Sequence, residues 1–289
     1  MLGLASTIRK TTEGSPQYRT RNSITLDGND GQYITATGHA DFQLNAVDFS
    51  VSGWINFTED ASEVNNEDGV CIFSAVDAES NLNGFVIKYI DESNDDERIY
   101  VYHYHGTSST TIQAGASVDW DHGEWYNITY TYDYSTTTGT LYSNNVVIDT
   151  KTSVTTPDNI ATSVAVSIAG ADTDEIAAKM CEVGFWKGTC LSASQVAGIY
   201  NNGRPRNLLS VEKDTLKGYW RLNAKDDVGS NNVIDYSGAG HHGTTGTGSD
   251  PDNDLISGDF DTTDVPILGL VNNGSKLIRK VMILLMMSN

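Results

Sequence analysis

Apolar side chains in this 289-residue chain recur at every second position, segment after segment. FSVSGWINF puts Phe49, Val51, Ile55 and Phe57 on one side. WYNITYTYDY sets Tyr126, Ile128, Tyr130 and Tyr132 against Asn127, Thr129 and Thr131. RIYVYHYHG sets Tyr100, Tyr102 and Tyr104 against Ile99, Val101, His103 and His105. Successive side chains of an extended chain point to opposite faces, so this pattern demands half-buried strands and excludes a helical bundle. NSITLDG, QYITATG, VCIFSAV, FVIKYI, TLYSNNVVIDT, SVAVSIAG, MCEVGFW, GYWRLNA and NNVIDYSG read the same way, separated by turn clusters such as Gly28 to Gly31, Asn94 to Asp96 and Asn144-Asn145. About a dozen short, evenly spaced strands predict an all-β sandwich or jelly roll of two antiparallel sheets. One stretch breaks the period. In SASQVAGIYNNG, Ser192 and Gln195 form a capping-box pair, Val196, Ile199 and Tyr200 follow at helical spacing, and Gly203 suits a C′ position, so one short helix is predicted near 192–202.

Charge narrows the partners. Acidic residues outnumber basic ones 38 to 18, a formal net charge of −20, which repels phosphate backbones and anionic lipid. No nucleic-acid partner is expected. No apolar run reaches the length of a membrane span, and the N-terminus lacks the apolar core of a signal peptide. Cys71, Cys181 and Cys190 are too few and too scattered for a disulfide framework; a single Cys181–Cys190 bridge or three free thiols are the alternatives.

The order of several segments resembles the laminin-G-like, concanavalin A-like jelly-roll family. The segments are the Leu26 to Tyr33 run, Trp54 in its strand, Trp125 to Asp133, and Glu182, Trp186 and Leu191-Ser192 before the helix. They are followed by Gly218 to Leu222 and the turn Asp235 to Gly243. The resemblance spans roughly residues 22–245. It implies a jelly-roll domain over 22–245, which leaves an N-terminal arm over 1–21 and a loop with an apolar docking tail over 246–289. Residues 244–265 are rich in Gly, Thr, Ser and Asp, so a loose loop is expected there. Tyr126-Asn127 where histidines are common, Gly31 in place of an acid, and Lys179 to Cys181 in place of Gly-x-Asp bear on the family's ligand contacts, not on its fold.

Chemistry-bearing residues are sparse. Glycosidic hydrolysis needs two carboxyls set across the bond. The nearest acidic run, Glu92 to Glu97, has Asn94 at its centre, and Glu182 stands alone on its strand, so no enzyme and no catalytic residue is expected. In DYSGAGHHG, Asp235 reads as a turn acceptor. The adjacent His241 and His242 point to opposite faces of an extended segment and cannot clamp one ion together. Calcium takes carboxylate and carbonyl oxygens, and two loops offer them: Asp27, Asn29 and Asp30 in the first hairpin, and Asp172 and Asp174 before the Glu182 strand. The resemblance adds Asp77 to the second. The Tyr100, Tyr102, Tyr104 stripe is either a sugar-stacking platform or core with His103 and His105 outward, core being the commoner fate of such a stripe. Trp120 is either displayed in its loop or a lid on the core.

The resemblance to domains of this kind in phage virion proteins implies a non-catalytic structural or adhesion protein of a virus particle, localised to the virion. Its terminal segments would dock on other virion proteins or on copies of itself, and its domain would meet host-surface glycans. The alternative is a free, extracellular carbohydrate-binding module, with a glycoside hydrolase third.

Overall fold

A computed structural model describes residues 18, 20–29, 31–59, 70–77, 82–91, 97–106, 108–113, 120–170, 175–223, 233–246, 254–256, 258–261 and 263–266. Two antiparallel sheets of seven strands face each other. The first runs β1 (Ile24–Asp27), β12 (Ala177–Lys187), β3 (Phe49–Phe57), β8 (Trp125–Asp133), β9 (Thr138–Ser143) and β10 (Val146–Lys151), with β13 (Leu216–Trp220) also paired to β12. The second runs β14 (Gly243–Thr245), β2 (Ile34–Ala36), β11 (Val166–Ile168), β4 (Val70–Val76), β5 (Leu82–Asp91), β6 (Glu97–Gly106) and β7 (Ser108–Gln113). The jelly-roll sandwich expected from the alternation is the observed fold. Asn144 and Asn145, with φ of 49° and 68°, make the two-residue turn from β9 to β10, both in the left-handed region that such hairpins require.

The alternating residues meet between the sheets. Phe49, Val51, Ile55 and Phe57 of β3 and Tyr126, Ile128, Tyr130 and Tyr132 of β8 join Phe73, Phe85, Val101 and Phe185 in one core. The first sheet is covered on its other face as well. Helix α1 (Ala193–Tyr200) and the segment after it place Val196, Ile199, Leu208 and Val211 against Trp186 and Tyr219, and Tyr200 stacks on Trp54. That layer buries Asn127, Thr129 and Ser52, which satisfy one another: the Ser52 and Thr129 hydroxyls lie 2.8 Å apart, and Thr129 donates to Asn127 Oδ1. The capping box is present, with Ser192 accepting from the Gln195 N–H and Gln195 reaching back to the Ser192 N–H. The helix stops one residue earlier than the glycine suggests. Asn201 takes the left-handed cap at φ 46° and Gly203 lies beyond it, because Asn tolerates that region almost as well as Gly.

Two expectations need correction. The tyrosine stripe does not face the core: Ile99, Val101 and His103 do, each fully buried, while Tyr102 and Tyr104 lie half-buried on the outer face. Alternation fixes which residues share a face but not which face is inside. Two aliphatic residues outweigh amphipathic tyrosines, and His103 finds partners for both ring nitrogens. The stretch 244–265 is not loose throughout, since β14 pairs with β2 and Leu255 and Phe260 are buried in the core. Of the two cysteine alternatives the thiol one holds: Cys71, Cys181 and Cys190 form no disulfide. The tail from 267 onward, and most of the N-terminal arm, lie outside the described residues.

Candidate functional site

The Tyr100, Tyr102 and Tyr104 rings form a parallel row along the outer face of β6. Neighbouring centroids are 5.7 and 5.9 Å apart and successive planes 10° apart. Residues i, i+2 and i+4 of a strand share a face, so the spacing follows from the backbone. Tyr100 is buried at one end of the row, and the ring surface opens toward Tyr104. Across the ladder, β5 sets Lys88, Val86 and Gly84 opposite the three tyrosines. Half-exposed aromatic surface with polar tips offers apolar contact to the C–H faces of a sugar. Trp120 adds nothing to this surface. Its indole is only 3% exposed and packs edge-on against Tyr126 and Phe57, so it is the lid on the core and not a displayed ring.

The acidic loops do not assemble a calcium cage among the described residues. Asp27 Oδ1 accepts the Asn29 N–H and the Asp27 N–H donates to Gln32 Oε1, which is turn chemistry. Asp77 directly follows β4, its N–H donating to the Asn83 carbonyl. Asp30, Asp172 and Asp174 lie outside the described residues.

A different group has metal-binding geometry. His39, Asp41 and His241 place three ligand atoms within 4.8 Å of one another. Asp235 builds this end of the molecule. Its carboxylate accepts the N–H groups of Tyr219, Ser237, Gly240 and His241 and the Ser237 hydroxyl, which fixes the turn as DYSGAGHHG suggested. The two histidines do point apart: His241 Nε2 lies 2.9 Å from Asp41 Oδ2, while His242 Nδ1 accepts the Asp235 N–H. Burial pushes the Asp41 carboxyl upward, but the His241 hydrogen bond and charge, with those of His39 and Lys217, outweigh it and hold the group below its usual value. The sequence reading missed His39 and Asp41 because nothing local links them to a residue 200 positions away.

Glu182 is the other buried acid of note. It sits where β12 changes partner from β1 to β13, beside an irregularity in the β12–β3 register, with φ of 55°. A bulge re-aims a side chain, and here the carboxylate meets hydroxyls from Tyr18, Thr20 and Tyr219, with Arg221 Nε 3.8 Å away. Burial pushes its pKa up, and the hydroxyl hydrogen bonds and Arg221 only partly offset this. Every one of these partners is a hydroxyl or a guanidinium, so Glu182 has no bonded carboxylate partner among the described residues. Burial likewise raises the Cys181 and Cys190 thiols, which keeps them protonated at neutral pH and poor as nucleophiles.

Two seven-stranded antiparallel sheets packed face to face, with one covering helix, make a jelly-roll sandwich, an architecture that lectin, capsid and cupin domains share. The chain belongs to the concanavalin A-like lectin/glucanase superfamily, whose laminin-G-type family model matches residues 27–197, more than half of its length. No curated protein matches by sequence. Among solved structures, a proposed carbohydrate-binding protein of Bacteroides ovatus matches with a TM-score of 0.54 at 16% identity, over 79% of this chain and 58% of that one. A native heptameric SAP-like pentraxin of Limulus polyphemus gives 0.47 at 13% identity, over 63% of this chain and 82% of that one. Domain 4 of an extracellular arabinanase from Geobacillus stearothermophilus, in complex with arabinotriose, gives 0.46 at 14% identity, over 62% and 76%. This chain therefore spans little more than half of the Bacteroides protein.

Proposed function

We propose that this is a non-catalytic glycan-binding protein that takes sugars on the outer face of β6. The observation that carries the reading is the half-exposed, parallel row of Tyr102 and Tyr104 beside buried Tyr100. Family membership and the carbohydrate-binding role proposed for the Bacteroides protein support it. The commitment of Glu182 to hydroxyls and an arginine supports a binding role over hydrolysis. A net charge of −20 favours neutral glycans over sulfated or uronate ones. The setting we propose is a virus particle, in which the terminal segments dock on other virion proteins or on further copies of this chain.

One array experiment tests these parts. The full chain should bind neutral glycans, and Tyr104→Ala or Tyr102→Ala should weaken binding by up to about 10-fold each, the scale of one lost aromatic contact. A chain ending at residue 265 should bind glycans as well but lose assembly with its partners. Binding that is indifferent to both tyrosines refutes the platform, and normal assembly of the shortened chain refutes the docking role.

A further inference from the structure

We infer that His39, Asp41 and His241 form a binding site for a zinc-class transition-metal ion. Imidazole nitrogen with carboxylate oxygen suits zinc, cobalt, nickel or copper, whereas calcium and magnesium prefer all-oxygen cages. The distances fit. Zinc bonds of about 2.0–2.1 Å put tetrahedral ligand atoms about 3.3 Å apart. Here His39 Nδ1 and His241 Nε2 lie 3.2 and 2.9 Å from the same oxygen, Asp41 Oδ2. Three protein ligands leave a fourth position open, the arrangement of a zinc site that exchanges an outside ligand.

The metal-free contacts are poorly matched. His39 Nδ1 accepts the Asp41 N–H at 3.1 Å and also faces Asp41 Oδ2 at 3.2 Å, acceptor against acceptor, so a metal ion would take over the lone pair that the N–H now uses and join the two acceptors. The surroundings are built as well. His241 is held by its N–H to Asp235 Oδ2 and by its carbonyl, which accepts the Trp220 indole N–H, and its ring packs on Phe42 at 4.9 Å. These main-chain bonds and the Phe42 contact fix where the His241 ring sits. Access comes from the His39 side, whose side chain is 55% exposed against 8% for His241. Lys187, whose ammonium donates to the Ala40 carbonyl, and Lys217 are the cations that act on Asp41. Their charges disfavour a weakly held hard cation more than an ion that bonds to imidazole.

The experiment uses the full chain stripped with EDTA and titrated with Zn²⁺ by calorimetry, with Co²⁺ as a spectroscopic probe and Ca²⁺ as a comparison. One zinc per chain is expected, with a tetrahedral Co²⁺ absorption band. His39→Ala removes an exposed ligand and should weaken zinc by more than about 10- to 100-fold, the range found when only a supporting partner is lost. Asp41→Asn should weaken it comparably, and His122→Ala, at another exposed histidine, should leave it unchanged. His39→Cys should restore zinc binding and add a thiolate charge-transfer band to the Co²⁺ spectrum, which a merely structural role for His39 could not produce. Zinc binding that His39→Ala and Asp41→Asn leave intact, a wild-type chain that takes up no stoichiometric zinc, or a preference for Ca²⁺ would overturn the assignment and leave the contacts as a proton-bridged ion pair.

Discussion

His103 gives the core a titratable side chain whose effect on stability can be worked out. It is fully buried between the sheets, packed edge-on against Tyr130 and Tyr132. The Thr155 carbonyl only accepts, so Nδ1 carries the proton and donates to it at 2.9 Å, and Nε2 accepts the Tyr130 hydroxyl at 2.9 Å. Neutral His103 is thus fully satisfied, and a second proton would have to break the Tyr130 bond. Burial drives its pKa down from the ordinary 6.5 to about 3, with the Thr155 hydrogen bond only partly offsetting it. Because the folded pKa lies below the unfolded one, the unfolded chain takes up the proton first. The contribution of His103 is complete above pH 6.5 and is lost as pH falls toward 3. At about 1.36 kcal/mol per pH unit once the unfolded histidine is fully protonated, acidification from pH 6.5 to 4.5 should remove roughly 2 kcal/mol. Gln at this position can donate to Thr155 and accept from Tyr130 without titrating. Urea unfolding of wild type and His103→Gln between pH 7 and 4.5 isolates the effect, because carboxylate terms cancel between them. The two stability curves should converge, or cross, by roughly 2–3 kcal/mol over that range, whatever constant offset the altered packing produces. Curves that stay parallel would show that His103 is not held neutral by the fold.

Two further expectations follow from the other buried polar groups. Glu182 has the opposite sign to His103. Its folded pKa is raised, so the stability tied to its neutral form is present below about pH 4.5 and lost as pH climbs through the folded value. Glu182→Gln should gain on wild type in urea unfolding as pH rises from 4 to 7, and an advantage that shrinks instead would show the charged form to be the one the site favours. Asp235→Ala strands five donors, among them the buried Tyr219, Ser237 and His241 N–H groups. At about 1–3 kcal/mol for each buried donor left unpaired, it should cost more than about 3 kcal/mol in the same assay, and a loss below about 1 kcal/mol would mean that water or neighbouring backbone replaces the carboxylate.

The strands were legible in the sequence wherever one face meets the core and the period is two, as in Phe49–Phe57 and Trp125–Asp133. The helix was legible because Ser192 and Gln195 carry a local hydrogen-bond signature. Two strands were missed for the converse reason: Ser108–Gln113 is nearly all polar, and Gly243–Thr245 is three residues long, so neither has a period to read. The polar side of β8 was legible as polar but not as buried. Asn127 and Thr129 are covered because α1 packs there, and a hydrogen-bonded cluster costs little to bury once its members satisfy one another.

What local pattern could not supply was which side of a strand is inside, and that question decides the functional reading. In RIYVYHYHG both faces carry large rings, so hydrophobicity alone is nearly neutral between them. The decision falls to partners elsewhere in the chain, since only the odd-numbered face brings His103 against the Thr155 carbonyl and the Tyr130 hydroxyl. The same choice turns Tyr102 and Tyr104 outward. A buried, satisfied histidine and a half-exposed tyrosine row are therefore one structural event. An H103Q chain that keeps the fold but binds glycans as wild type does would show that the row needs only the strand's parity, whereas one that loses binding along with its acid response would tie the platform to the hydrogen bonds beneath it.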